Sequence, residues 1–221
     1  MTKRRHIDLS HVVEDGMVTY KGLPAPKISD FLSRADSRAR YAPGTEFQIG
    51  LIEMCSNTGT YVDSPFHRYP DGADLAGLEL DRLADVDAIT VAADIRGRAI
   101  DRAQLLAYDV AGKAVLVRTG WDRHWRTDAY FSGHPFLTQD AAGYLVERGA
   151  LVVAIDSFNI DDTAGGERPV HSTLLAAGIP ICEHLTNLGS LPASGYRFTA
   201  MPVRVAGMGT FPVRAYATLD T

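Results

Sequence analysis

What most limits the folds open to this chain is the placing of its short valine- and isoleucine-rich segments. Phe47 to Met54, Ile89 to Asp94, Val115 to Arg118, Val152 to Asp156, Met201 to Ala206 and Val213 to Thr218 read as strands. Among them, Arg102 to Tyr108, Thr138 to Arg148 and Ser172 to Ala177 carry helix formers with apolar residues three and four apart. Thr138 stands where an N-cap belongs and Gly149 where a left-handed C-terminal residue belongs, so the middle helix has both boundary signals. Strand-rich stretches before and after the helices do not follow a regular βαβ alternation. The pattern predicts an α/β protein with a mixed-sheet, barrel-like β core and peripheral helices.

Nothing along the chain asks for a second domain: there are no repeats, low-complexity tracts or linkers, and residues 1–221 read as one unit. Gly and Pro mark loops at Gly22 to Pro26, Pro43 to Gly44, Pro65 to Gly72 and Gly165 to Pro169. A formal net charge of -5 argues against nucleic acid as a partner, since that binding needs lysine and arginine to neutralise phosphates. A small-molecule partner is expected instead. The longest apolar runs, such as Ala150 to Ile155, are too short to cross a bilayer. The basic Lys3 to Arg5 is followed by no apolar stretch, so no secretory signal is read and a cytoplasmic location is expected. Cys55 and Cys182 each fall in a stretch that reads as buried strand; they suit a core, or a sulfur near an active site, but no disulfide framework.

The densest chemistry lies in Asn57 to His67, NTGTYVDSPFH, continuing through Arg68, Tyr69, Pro70, Asp71 and Gly72. The stretch reads as following a strand and ending in a loop. Gly59 allows a turn other residues resist and Pro65 stiffens the chain before His67, so Asp63 and His67 can be held in fixed relation. Asp and His in such a loop are also ordinary turn formers, so the residues alone leave a structural and a functional reading open.

The stretch resembles the HxGTHxDxPxH signature of the cyclase family, which includes kynurenine formamidases and isatin hydrolases. Gly59, Thr60, Asp63, Pro65 and His67 match, whereas Asn57 and Tyr61 stand in place of the first two histidines. The resemblance continues through Asp8 to His11, Arg118 to Trp121, Gly133 to Pro135, Asp156, Asp161, His171, Glu183, Leu185 to Leu188, Pro202 and Pro212 to Arg214. It implies the family's swivelling β/β/α fold and a homodimer or higher homo-oligomer. It also implies that His67 is the acid or base, and that Asp63, His171 and Glu183 hold a divalent metal. One imidazole and two carboxylates leave a position open for water and suit zinc or manganese. A second ion is not expected, because a tyrosine phenol ionises only near pKa ~10 and Asn57 offers a neutral amide.

Tyr61 then either hydrogen-bonds its neighbours, as Asn57 does, or orients substrate and partners His67. Tyr20 and Phe158 are candidates for an aromatic substrate wall, with Asn57 and Trp121 as further substrate contacts; Trp121 and Trp125, four apart, equally suit a core or a dimer face. His6, His11, His124, His134 and His184 read as structural. The expected function is a hydrolase of a formamide-like amide, lactone or cyclic amide, with a metal-activated water and His67 as general acid/base. Two alternatives remain: a metal-free elimination, dehydration or cyclisation enzyme using His67, Asp63 and Tyr61, and a noncatalytic small-ligand-binding homologue.

Overall fold

A computed structural model describes residues 3–220. Its strands, in chain order, are β1 (Arg4–Asp8), β2 (Lys27–Leu32), β3 (Ile49–Glu53), β4 (Tyr61–Asp63), β5 (Val86–Ala92), β6 (Ala99–Ile100) and β7 (Ala114–Arg118). Then come β8 (Phe136–Leu137), β9 (Val152–Ile155), β10 (Ile181–Glu183), β11 (Ser194–Thr199), β12 (Thr210–Pro212) and β13 (Tyr216–Asp220). The α-helices are α1 (Arg34–Arg38), α2 (Arg102–Leu105), α3 (Gln139–Glu147) and α4 (Pro169–Ala176).

Nine strands form one curled, half-barrel sheet in the order β1-β13-β11-β5-β7-β9-β10-β4-β12. The run β5-β7-β9-β10 is parallel and both flanks are antiparallel, so the sheet is mixed. β7 and β9 read Ala-Val-Leu-Val and Val-Val-Ala-Ile and are buried on both faces, which is why their apolar runs are continuous. Alternation still sorts their side chains. Val115, Val117, Val153 and Ile155 pack with α3 and α4 residues such as Leu145 and Leu174. Ala114, Leu116, Val152 and Ala154 pack with Leu9, Phe198 and Ala217 on the opposite side. The expected mixed-sheet α/β architecture is the one observed.

Several boundaries differ from those read in the sequence. α3 begins after Thr138, whose side chain accepts from the Ala141 N–H, and ends before Gly149 at φ +71°, as its boundary residues indicate. α4 starts at Pro169, three residues ahead of Ser172. Proline suits the first helical turn, where its missing N–H costs nothing, so Gly165 to Pro169 is a loop only up to its last residue. Met201 to Ala206 is not a strand, and the pairing strand is β11 just before it. Pro202 has no N–H for a ladder, while Tyr196 and Phe198 supply the buried alternation. Of Val213 to Thr218 only Tyr216 to Thr218 is strand, in β13; Val213 to Ala215 connect it to β12. Cys182 is buried in β10, but Cys55 is half-buried beyond the end of β3 rather than in a strand.

The stretch from Asn57 to His67 is not simply a loop after a strand, because Tyr61–Asp63 is itself β4, paired on both sides. This register sets up the site. Across β10–β4–β12, Asp63 lies between Ile181 and Thr210, and Tyr61 between Glu183 and Pro212. Residues two apart share a face, so Tyr61, Asp63, Glu183 and Thr210 project together while Val62 and Cys182 turn into the core behind. β2 and β3 stand apart as a separate antiparallel pair.

Candidate active site

Each side chain at the centre is held by its own element. His67 ends the 3-10 turn Pro65–His67 that follows β4. Its backbone lies so close to Gly209 that a Cβ there would come within 2.4 Å of the His67 nitrogen, so only glycine fits. Gly72 gives Pro65 the same clearance, at 2.8 Å. The turn Pro65–His67 thus has a glycine packed against each of its ends.

Thr210 Oγ1 donates to Asp63 Oδ1 at 2.5 Å and therefore accepts from His67 Nδ1 at 2.8 Å. The imidazole carries its proton on Nδ1, which leaves Nε2 as the basic nitrogen. His171 lies in the first turn of α4. Asp161, from the loop after β9, caps that turn: one oxygen accepts from Val170 N–H at 2.7 Å, the other from His171 N–H at 3.0 Å and from His171 Nδ1 at 2.6 Å. With Nδ1 committed to Asp161, His171 Nε2 faces Asp63 Oδ2 at 3.6 Å and Glu183 Oε1 at 3.8 Å. This carboxylate–imidazole pairing is the orientation that metal-binding histidines commonly have.

Charge at the centre is finely balanced. Burial opposes protonation of His171 more than any other single influence, yet Glu183, Asp161 and Asp63 together outweigh it and hold the pKa at about 10. Glu183 is raised by burial and lowered by His171. Its Oε1 accepts from Ile160 N–H at 2.6 Å and its Oε2 from Tyr61 O–H at 2.6 Å. Burial, followed by the Glu183 charge, raises the Tyr61 and Tyr20 phenols well above their ordinary range, so both stay protonated. Asn159 Nδ2 donates to Tyr20 O at 3.0 Å, and Tyr20 and Tyr61 hydroxyls lie 2.9 Å apart, which gives a chain of donors running to Glu183.

Tyr61 is therefore a neutral donor and no substitute for an imidazole ligand. Asp63 Oδ2 is different: it is buried and has no hydrogen-bond partner among the described residues. An orphaned carboxylate oxygen is costly unless something meets it. With His171 Nε2 beside it, the donors fit one divalent ion once that nitrogen gives up its proton. Donor atoms of Asp63, His67 and His171 all lie within 4.8 Å of one another, and Glu183 adjoins them through His171.

A cavity of about 450 Å³ opens above this centre. Tyr20, Asn57, Tyr61, His67, Phe158, His171 and Glu183 all line it, and Asp63 sits fully buried beside them. Trp121, expected near substrate, is not on its wall; the indole N–H instead donates to the Tyr130 carbonyl at 3.1 Å. Trp125 stacks on His11 with ring centroids 4.0 Å apart, which is packing. Thr210, Asn159 and Arg168 escaped the sequence reading, because cross-strand register and loop closure leave no local pattern. Arg68 adjoins the motif and Asp161 falls within the resemblance, but neither carries a local signal of its part in the site.

Fold and site together define a class: α/β proteins that build a buried carboxylate–imidazole centre near the edge of a curled mixed sheet. A family model described as putative cyclase matches residues 7–162, and the chain belongs to the cyclase family. The relatives it matches there are hydrolases. It is 24% identical over 216 residues to a kynurenine formamidase of Bacillus cereus, covering 95% of each chain. Its fold superposes on an isatin hydrolase bound to the product analogue thioisatinate with a TM-score of 0.83 at 24% identity, over 99% of this chain and 93% of that one. A potential metal-dependent hydrolase with cyclase activity gives a TM-score of 0.77 at 25% identity, over 99% and 100%.

Proposed function

We propose that this protein hydrolyses a carbon–nitrogen or ester bond in a small amide, cyclic amide or lactone, using one divalent ion and His67. The observation that carries the reading is the buried Asp63 Oδ2, which has no hydrogen-bond partner among the described residues and faces His171 Nε2 at 3.6 Å. Asp63, His171 and Glu183 would hold zinc or manganese, Glu183 Oε1 lying 3.8 Å from His171 Nε2, while His67 has a donor atom within 4.8 Å of those of Asp63 and His171. When bound, such an ion lowers the pKa of its water towards neutrality and polarises a carbonyl oxygen.

The chain's own groups supply the rest. His67 Nε2 takes a proton from the attacking water and returns it to the departing nitrogen or oxygen. Asp63 and Thr210 fix the His67 tautomer that makes Nε2 basic. Tyr61 satisfies Glu183 Oε2, holding that carboxylate in one orientation. Ser56 Oγ donates to Asn57 Oδ1 at 3.2 Å, which leaves the Asn57 amide N–H groups to meet a substrate oxygen. Tyr20 and Phe158, with ring centroids 4.8 Å apart, offer an apolar wall suited to an aromatic ring.

The test is hydrolysis of aryl formamides, isatin-like cyclic amides and lactones by purified protein, by its His67→Ala variant, and after chelation with zinc or manganese added back. Turnover that requires both His67 and metal supports the reading; turnover indifferent to His67 sinks it.

A metal-free acid–base enzyme is the second reading, favoured by the strength with which three carboxylates keep His171 protonated. An imidazolium there neutralises charge as an ion would. It predicts full activity in metal-stripped protein and a large loss in Tyr61→Phe.

The proposal includes a homodimer. β2 and β3 expose Ile28, Phe31, Ile49, Leu51 and Ile52, with Phe31 73% exposed. A two-stranded ribbon that packs so little of its own apolar surface is marginal alone and gains stability against a second copy.

A further inference from the structure

Behind the cavity wall the rings of Tyr20, Tyr61, Trp125, Tyr130 and Phe158 surround His184, which is fully buried. We propose that His184, neutral and carrying its proton on Nε2, is a positioning residue that aligns the hydroxyls of Tyr20 and Tyr61 so that both protons run towards Glu183. The inference rests on the proposed metal centre only for taking Glu183 as a ligand.

The direction of the chain follows from its fixed end. As a carboxylate oxygen, Glu183 Oε2 accepts, so Tyr61 spends its single proton there, at 2.6 Å. The Tyr20 and Tyr61 oxygens lie 2.9 Å apart, a contact that needs a proton between them, and only Tyr20 has one left to give. With that proton spent, Tyr20 can only accept, from Asn159 Nδ2 at 3.0 Å and from His184 Nε2 at 3.3 Å. Nε2 therefore carries a hydrogen. The imidazole has no carboxylate among its hydrogen-bond partners and no exposure to water, so it is neutral, its Nδ1 is bare, and Tyr130 O–H donates to it at 2.8 Å. The competing acceptors are farther away: for Tyr20 the Phe158 carbonyl at 3.1 Å and Glu183 Oε2 at 3.4 Å, for Tyr130 the Ser157 carbonyl at 3.2 Å.

The backbone is bent to put the ring there. His184 directly follows Glu183 at the end of β10 and holds φ +56°, a left-handed conformation uncommon in a residue with a Cβ. Its carbonyl accepts from Thr60 Oγ1 at 2.6 Å, which ties the bend to the residue before Tyr61. Glycine would meet that backbone demand alone, whereas histidine also spans from Tyr130 to Tyr20 with its two nitrogens. With Oε2 met by Tyr61 and Oε1 by Ile160 N–H at 2.6 Å, Glu183 keeps one orientation, in which Oε1 faces His171 Nε2 at 3.8 Å. A ligand held from behind in this way is already in place for an ion.

The test reads the ring nitrogens of His184 by NMR on histidine-labelled full-length protein after chelation, and zinc affinity by calorimetry on the same samples. His184 is expected to show a bare Nδ1 and a protonated Nε2. In Tyr20→Phe the acceptor at Nε2 is gone, so the proton is expected to move to Nδ1, with Tyr130 accepting there and donating to the Ser157 carbonyl instead. A ring that only packs would keep its tautomer. Zinc affinity should fall about tenfold or more in the same variant, as loss of a partner behind a metal ligand requires. Tyr20 is half-buried at the cavity wall and phenylalanine keeps its ring, so the fold survives the change. Tyr61→Phe leaves Tyr20 in place to accept, and there the proton should stay on Nε2. A proton on Nδ1 in the parent protein, a tautomer unchanged in Tyr20→Phe, or a measurable zinc affinity equal in the two overturns the proposal. If the parent binds no zinc at all, the metal reading fails, while the tautomer and its shift still decide whether the chain of donors exists.

Discussion

Thr210 joins Asp63 to His67, and its one hydroxyl proton decides which nitrogen of His67 is basic. Replacing it by valine keeps the shape and removes both hydrogen bonds. Thr210→Val is expected to lower kcat by about 10- to 100-fold with little change in KM, as loss of a general base's orientation should. An equal fall in kcat and rise in KM would make Thr210 a packing residue only. His171 gives a second prediction. Carboxylates hold its proton up to about pH 10, so a metal must displace that proton to bind. Affinity for zinc or manganese should rise by about tenfold per pH unit between pH 7 and 9, because deprotonation becomes progressively easier. Isothermal titration in buffers of differing ionisation enthalpy measures the proton released; an affinity flat with pH would mean that His171 is not a ligand.

At the scale of elements, the turn carrying His67 depends on close approach to the loop before β12. Gly209→Ala forces a methyl to within 2.4 Å of the His67 nitrogen, and the contact is to backbone, which cannot swing away. The variant should lose about 1–3 kcal/mol of stability, read by urea denaturation, together with most of its activity. Thr138→Ala, at the start of α3 and far from the site in sequence, should cost about 1 kcal/mol and leave kcat unchanged. α3 was legible because its two caps are local chemistry, and β7 and β9 because central parallel strands are apolar throughout. β1 was not, since its exposed Arg4 and Arg5 give no burial signal, and Met201 to Ala206 misled because its apolar alternation conceals Pro202. Asp63, His67, His171 and Glu183 were drawn together by resemblance, not by any local rule. Thr210 lies 147 positions from Asp63 and meets it only through the β12–β4 register, which no window along the chain contains.

For the whole molecule, buried histidines set the response to acid. Burial lowers the pKa of His11 to about 4, and lowers those of His134 and His184. In the unfolded chain these groups bind protons near pH ~6.5. Stability present above that pH is therefore lost as pH falls through the folded pKa values, by up to about 1.4 kcal/mol per pH unit for each histidine. His171 acts in the opposite sense in metal-free protein: its contribution is present below about pH 6.5 and lost as pH rises through about 10. Burial raises Asp156 to about 6, which opposes this loss below that pH, so urea denaturation at pH 7.5, 6 and 5 should show a net decline because the histidines outnumber it, and a flat profile would contradict it. The exposed apolar β2–β3 face is the surface proposed to meet a second copy of the chain. Phe31→Glu should shift the particle to half its mass by light scattering if that face joins two copies; an unchanged mass would assign the face elsewhere.

The most direct test of a one-ion hydrolytic centre is metal stoichiometry. Protein loaded with zinc or manganese and freed of excess is analysed for moles of metal per chain, beside Asp63→Ala and Tyr61→His. One equivalent in the parent protein, none in Asp63→Ala, and turnover that follows occupancy is the predicted result. Two equivalents in the parent, or one retained in Asp63→Ala, would contradict it.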